Sequence, residues 1–210
     1  LRLMDPDAFG RAFAVFAAAL AQARREVVAL DGKALRRAYE TGLQAAPPLT
    51  VSAFASGTRL CLAAATPRGG GNEITAALDV IELLDLTDRL VTADALHCHK
   101  DMATAVIRNG GDYLLALKGN RRHWQQHARR NLSSGQPESV IREEASHGRN
   151  EWRQAEVVAA DMPLMDGHKA FIRITSRRDQ AEPKTRLFMA STHLSAQDAL
   201  DLTRAHWQVE

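Results

Sequence analysis

The sequence predicts an α/β protein built on a mixed sheet flanked by helices, and three observations carry that prediction. Short apolar runs that end on aspartate alternate with helical segments, two strand-like runs flank a tight turn, and a late strand-rich stretch precedes a final helix. Residues 7–25 place Phe9, Phe13, Phe16 and Leu20 at helical spacing and end in Arg24 and Arg25, cations suited to a helix C-terminus. Residues 27–30, closed by Asp31-Gly32-Lys33, are short and β-branched enough for a buried strand. Pro47-Pro48 break the chain before a hairpin of residues 49–56 and 59–65 around Ser56-Gly57-Thr58. Residues 67–71 form a loop, and Asn72 caps a helix with the stripe Ile74, Leu78, Ile81 and Leu84. A second buried strand, 90–92, finishes on Asp94. Residues 101–109 read as a helix stopped by Gly110-Gly111, and 113–117 as a third core strand leading into Lys118-Gly119-Asn120. Residues 121–132 are helical and basic. Residues 154–160, 169–175 and 185–191 are strand-like, and Ser195 caps a last helix with Leu200, Thr203 and Trp207 on one side.

This order matches a sheet of the ribonuclease H type, with the first strand central, the hairpin antiparallel on one side and the later strands parallel on the other. Asp31 and Asp94 then meet at the carboxyl edge of the sheet, where ligands of open α/β folds collect. Adjacent carboxylates repel unless a proton or cation intervenes, so a hard divalent ion such as Mg²⁺ is the natural occupant. Two such ions can cleave a phosphodiester, a task that usually enlists a third carboxylate, for which Glu210 on the last helix is the candidate. A lone aspartate at a strand end more commonly caps a turn, so spacing leaves both roles open.

Composition narrows the classes further. The 210 residues are 45% hydrophobic and 25% charged, the balance of a globular protein long enough to bury a core. The longest apolar run, residues 12–21, is about half of a membrane crossing. No signal-peptide cleavage site follows it, and acidic Asp5 and Asp7 precede it. Cys61 and Cys98 make no disulfide framework and no CxxC knuckle, which favours a reducing, cytoplasmic setting. The 27 basic and 25 acidic residues leave a net charge of only +2, but the charge is segregated. Between Asp112 and Glu138 stand Lys118, Arg121, Arg122, Arg129 and Arg130 without a carboxylate, a pattern suited to phosphate contacts or to a solvated helix face. His97-Cys98-His99 lacks a second ligand pair at zinc spacing, His123 and His127 lack the glutamate of an HExxH site, and residues 69–71 lack the Lys-Ser/Thr ending of a P-loop.

The strings Val28-Ala-Leu-Asp-Gly-Lys-Ala-Leu-Arg36, Val51-Ser-Ala-Phe-Ala-Ser56, Asn72-Glu-Ile-Thr75, Val91-Thr-Ala-Asp-Ala95, Gly111-Asp-Tyr-Leu-Leu-Ala-Leu-Lys-Gly-Asn120, His147-Gly-Arg149 and Arg204-Ala-His-Trp-Gln-Val-Glu210 share an order and spacing with a known family. Together they resemble a DDE-class insertion-sequence transposase of the H-repeat-associated branch, from about residue 5 to the end. The family pattern has a lysine-serine pair where Gly70-Gly71 stands and Ala-Met-Gly where Ala95-Leu96-His97 stands. It continues past Glu210, so truncation of this copy is expected.

The resemblance implies a ribonuclease H-like core in which Asp31, Asp94 and Glu210 form the acidic triad and hold two Mg²⁺ ions, with Mn²⁺ as a substitute. It implies hydrolysis at transposon ends followed by attack of the freed 3′-hydroxyl on target DNA. Residues 1–26 would be an N-terminal helical segment, 27–138 with 193–210 the catalytic core, and 139–192 a β-rich insertion. The partners implied are double-stranded DNA at transposon ends and target, and further copies of the chain in the DNA complex, with no membrane. Lys33, Arg36, Lys118 and Asn120 are then expected beside the metals, with Arg121, Arg122 and Arg204 as further DNA contacts. His206 falls four residues before Glu210 on one helix face, where a packed ring is the commoner role. The alternatives are an inactive remnant that still binds DNA or a full-length partner, and a nuclease of this fold without strand transfer.

Overall fold

The protein is described here from a computed structural model, which covers residues 5–20, 26–34, 49–67, 71–146 and 149–206. Helix α1 (Pro6–Leu20) precedes the central strand β1 (Val27–Ala34), the hairpin β2 (Leu49–Ala55) and β3 (Leu60–Ala65), and helix α2 (Glu73–Glu82). Two α/β steps follow, β4 (Leu90–Ala93) into α3 (Lys100–Arg108) and β5 (Asp112–Leu117) into α4 (Arg122–Ser134). The chain then runs through β6 (Glu138–Ser146), β7 (Arg149–Ala159), β8 (Ala170–Arg178) and β9 (Lys184–Ala190) to α5 (Ala196–His206).

The strands join in one nine-stranded sheet of order β3-β2-β1-β4-β5-β9-β8-β7-β6. Strand β2 is antiparallel to β1, whereas β4 and β5 run parallel to it, so the first five strands have the mixed ribonuclease H-like arrangement that the element order predicts. Residues expected to form an insertion are hydrogen-bonded into that same sheet, because β9 pairs antiparallel with β5.

Period-two alternation splits the sheet into two cores. Val28, Leu30, Val91, Tyr113 and Leu115 face one side, where Val80, Ile81, Met102, Val106, Ala128 and Leu132 of α2, α3 and α4 cover them. Leu90, Leu114, Ile172 and Phe188 face the other side, against Ala196, Ala199 and Leu200 of α5. The helices start where capping chemistry lets them. Asn72 Oδ1 accepts from the amides of Ile74 and Thr75 while Thr75 Oγ1 accepts from the Asn72 amide, a complete capping box. Ser195 Oγ accepts from the Asp198 amide to start α5.

Three local expectations change. Strand β1 does not stop at Asp31 but runs to Ala34, because β2 continues to pair with it after β4 has diverged. The hairpin turn carries a left-handed residue at Arg59 (φ 57°), one residue past Ser56-Gly57-Thr58. Strand β6 has no apolar alternation in the sequence and forms because nine of its residues pair with β7.

His168 is buried beside Phe171, with Nδ1 accepting from the Leu164 amide and Nε2 lying 3.1 Å from the Ala170 carbonyl. Burial, the largest cause, holds this ring below its ordinary value of 6.5, so the folded state keeps it neutral while the unfolded chain protonates it. The stability it lends is present above pH 6.5 and is lost as the pH falls below that value, with a slope of at most about 1.4 kcal/mol per pH unit. Urea titrations of parent and His168→Gln between pH 5 and 7.5 should show a shallower acid decline in the variant. Leu200 is fully buried where α5 crosses the second core. Leu200→Ala should therefore cost about 2–5 kcal/mol of unfolding free energy in the same assay.

Candidate active site

The carboxyl edge of the sheet is where the sequence reading concentrates its candidates, and strand register decides which of them meet. Strands β1 and β4 pair Val27 with Leu90, Val28 with Val91 and Ala29 with Thr92, an offset of 63 residues. Asp31 and Asp94 are also 63 residues apart (94 minus 31); the paired residues end at Ala29 and Thr92, two positions before each aspartate, so both follow the same ladder at the carboxyl edge, Asp31 still on β1 and Asp94 in the turn just past β4. Parity gives the face. Val28 and Leu30 belong to the α2/α3 core, so Ala29 and Asp31 stand on the α5 side; Val91 and Ala93 belong to the same core, so Thr92 stands on the α5 side too, and Asp94 follows one residue past the end of β4.

The two carboxylates are held differently. Asp94 Oδ1 accepts from the Leu96 amide at 2.8 Å, and the Asp94 carbonyl accepts from the His97 amide, which fixes the turn after β4. Asp94 Oδ2 and both oxygens of Asp31 have no hydrogen-bond or ion-pair partner among the described residues. Asn120 donates from Nδ2 to the Ala95 carbonyl, and Arg121 donates from Nε to the Cys98 carbonyl while its guanidinium lies 5.3 Å from the Trp124 ring centre. These two residues, expected at DNA, tie the Asp94 turn to the end of β5.

A second brace went unread in the sequence. Glu73, the first residue of α2, places Oε1 3.2 Å from His97 Nε2, and the His97 ring is only 1% exposed. The Glu73 carboxyl also lies over Gly32, where an added Cβ would fall 2.2 Å from Oε1. A Cβ at position 32 would therefore push the Glu73 carboxyl away from its place beside His97. In the sequence, Glu73 reads as a helix N-terminal acid, and His97 as part of a histidine-cysteine cluster, 24 residues away. His99 of that cluster is the N-cap of α3, its Nδ1 accepting from the Met102 amide, and burial keeps the ring below its ordinary range and therefore able to accept. Burial likewise pushes the Cys98 thiol up to about 12, so it is an inert core group.

The remaining candidates divide by position. Lys33 lies on β1 and is exposed, with the parity of Asp31. Lys118 is exposed immediately beyond β5, and Arg122 is exposed at the start of α4. Arg204 on α5 is ion-paired with Glu144 of β6, which raises its pKa above the ordinary guanidinium value through that hydrogen bond. Glu210 and Arg36 lie outside the described residues, as does the side chain of His206. Among the described residues no group of three histidine, cysteine, aspartate or glutamate side chains could hold a metal ion, and no helix is long and apolar enough to cross a membrane.

The family described as Transposase DDE domain matches residues 22–210. The chain is 30% identical over 204 residues to "H repeat-associated putative transposase YhhI" of Escherichia coli (strain K12), covering 89% of this chain and 54% of that relative. It is 34% identical over 209 residues to "Uncharacterized protein in dhlA 3'region" of Xanthobacter autotrophicus, covering 90% of this chain and 68% of that one. The chain spans about half the length of several curated relatives it matches. Among solved structures, a cryo-EM piggyBac transposase synaptic complex with hairpin DNA aligns at TM-score 0.49 and 10% identity, over 88% of this chain and 38% of that one.

If Glu73 reaches His97 only because residue 32 lacks a Cβ, then Gly32→Ala should cost about 1–3 kcal/mol by stranding buried His97 Nε2, and His97→Ala a comparable amount through lost packing and the unpaired, part-exposed Glu73 carboxylate. Combined, they should cost clearly less than their sum in a double-mutant cycle read by urea unfolding. Additive losses would separate the two residues.

Proposed function

The chain belongs to the Transposase DDE domain family, and from that membership we propose that it is the catalytic part of a DNA transposase that cuts phosphodiester bonds at the ends of a mobile element and joins them to target DNA. The observation that carries this reading is the shared 63-residue offset, which supports Asp31 and Asp94 as neighbouring carboxylates on one sheet face.

Their chemistry fits a hard divalent ion. Side-by-side carboxylates oppose each other's ionisation until a cation lies between them, and their oxygens suit Mg²⁺ or Mn²⁺. Asp31 and Asp94 would hold the metal, with Glu210 as the third ligand. When bound, Mg²⁺ supplies acidification of the attacking water and neutralisation of charge on the phosphate and the leaving oxygen. The residues of the chain do the rest. Asp94 Oδ1 is committed to the Leu96 amide, which leaves Oδ2 for ligation and fixes its direction. Asn120 and Arg121 keep the Asp94 turn docked on β5, and the Glu73–His97 pair keeps α2 against the backbone next to Asp31. Lys33 and Lys118 stand at the same edge as phosphate contacts that position the strand to be cut.

In the first step water adds to the phosphorus and the P–O3′ bond breaks, which leaves a 3′-hydroxyl on the element and a 5′-phosphate on the flank. In the second that hydroxyl attacks a target phosphate, displaces the target 3′-oxygen and joins the strands. Several copies of the chain would hold the two element ends together.

Asp31→Asn and Asp94→Asn should each lower Mg²⁺-dependent cleavage of the element's own ends by on the order of 10³-fold or more, because each removes a charged ligand of the metal. Gel-shift affinity for the same duplex should stay within a few-fold of the parent. A variant that cuts at the parental rate refutes the assignment.

A further inference from the structure

A cleft of about 600 Å³ opens on the α5 side of the sheet, between α5 and the outer ends of β7, β8 and β9. Its lining includes Arg153, Arg178, Lys184, Arg186 and Arg204 with the carboxylates Glu151 and Glu182; Arg178 is ion-paired with Glu151 at 3.8 Å and Arg204 with Glu144 of β6, which leaves the cleft with an excess of cations. Strand register connects this cleft to the candidate active site. The last β4–β5 pair, Ala93 with Leu115, lies one residue before Asp94 and Ala116, and Ala116 pairs with Phe188 of β9. Because β9 runs antiparallel to β5, its residues before Phe188 extend past the same sheet edge that carries Asp31 and Asp94. Arg186 and Lys184 share the parity of Phe188, which packs in the α5-side core; Arg178 shares that of Ile174, and Arg153 that of Ala155, both in the same core. The cations therefore lie on the face and at the edge of the two aspartates. Two strand spacings of roughly 4.8 Å separate β4 from β9, so carboxylates and cations fall within a few phosphates of each other along one duplex.

Arg153 makes the cleft more than a charged surface. It is 8% exposed, its Nη2 donates to Thr203 Oγ1 at 3.2 Å, and no carboxylate of the described residues lies within salt-bridge distance of it. Burial outweighs Glu151 and Glu144, which act on this guanidinium only from beyond salt-bridge distance, so an anion entering the cleft would offset a desolvation cost. Lys184, the exposed first residue of β9, pairs with Ser176 through the backbone and has no side-chain ion pair among the described residues.

We infer that this cleft binds the phosphate backbone of duplex DNA and leads it to Asp31 and Asp94. The inference rests on the DNA-transposase reading above and adds to it a contact surface in the stretch of chain from β7 to β9. Fluorescence anisotropy of a short blunt duplex of arbitrary sequence, measured over a KCl series, tests it with the Arg178→Ala/Lys184→Ala double variant, Lys118→Ala, and Arg108→Ala as a charge control on exposed α3. The double variant should raise Kd on the order of ten-fold and make the log Kd against log salt slope shallower by about 1.8, the share of two phosphate contacts. Arg108→Ala should leave the slope at the parental value. A parental slope in the double variant, with a shallower one in Lys118→Ala, overturns the cleft and leaves the DNA reading standing. An equal change in Arg108→Ala overturns it too, as an effect of net charge. A parent chain that binds no duplex overturns both.

Discussion

The parallel pairing of β1 with β4 is the constraint on which the rest of the site depends. Three residue pairs fix an offset, and that offset equals the separation of two aspartates. A slip of one residue would turn one carboxylate to the opposite face and into an apolar core, where burying it would cost several kcal/mol. The helices on that far side, α2 and α3, are packed so tightly against Val28, Leu30, Val91 and Leu115 that such a slip would expose the core. Hydrophobic burial on one face therefore sets which face of the sheet carries Asp31.

Around this register the chain arranges braces that hold the backbone near each carboxylate without spending the carboxylates themselves. Asn120 and Arg121 donate to carbonyls of the Asp94 turn, and Glu73 lies across Gly32 toward His97. The polar groups next to the site thus anchor the turns, and the oxygens of Asp31 stay unengaged among the described residues.

Much of this was legible in the sequence, and the failures have physical reasons. The strands ending near Asp31 and Asp94 are short, apolar and bounded by turn residues, and their type follows from local pattern. Strand β6, with only Val140 and Ile141 as large apolar residues, takes its conformation from its neighbour β7 and carries no local signal. The start of β7 was set at residue 154, five residues after its actual beginning at Arg149, and this excluded Arg153 from the strand whose parity turns it toward α5. Glu73 and His97 each have a sufficient local explanation in a helix cap and a polar cluster, so only the fold reveals that they meet.

The ladder between β5 and β9, from Leu114 with Ala190 to Leu117 with Leu187, fuses the first five strands to the last four. A hinge there would have to tear backbone bonds inside a buried sheet, so the two halves travel as a unit. If DNA occupies the proposed cleft, the duplex itself would have to supply the compliance by bending or unwinding at its flexible steps, and sequences soft enough to do so would be favoured without any base being read.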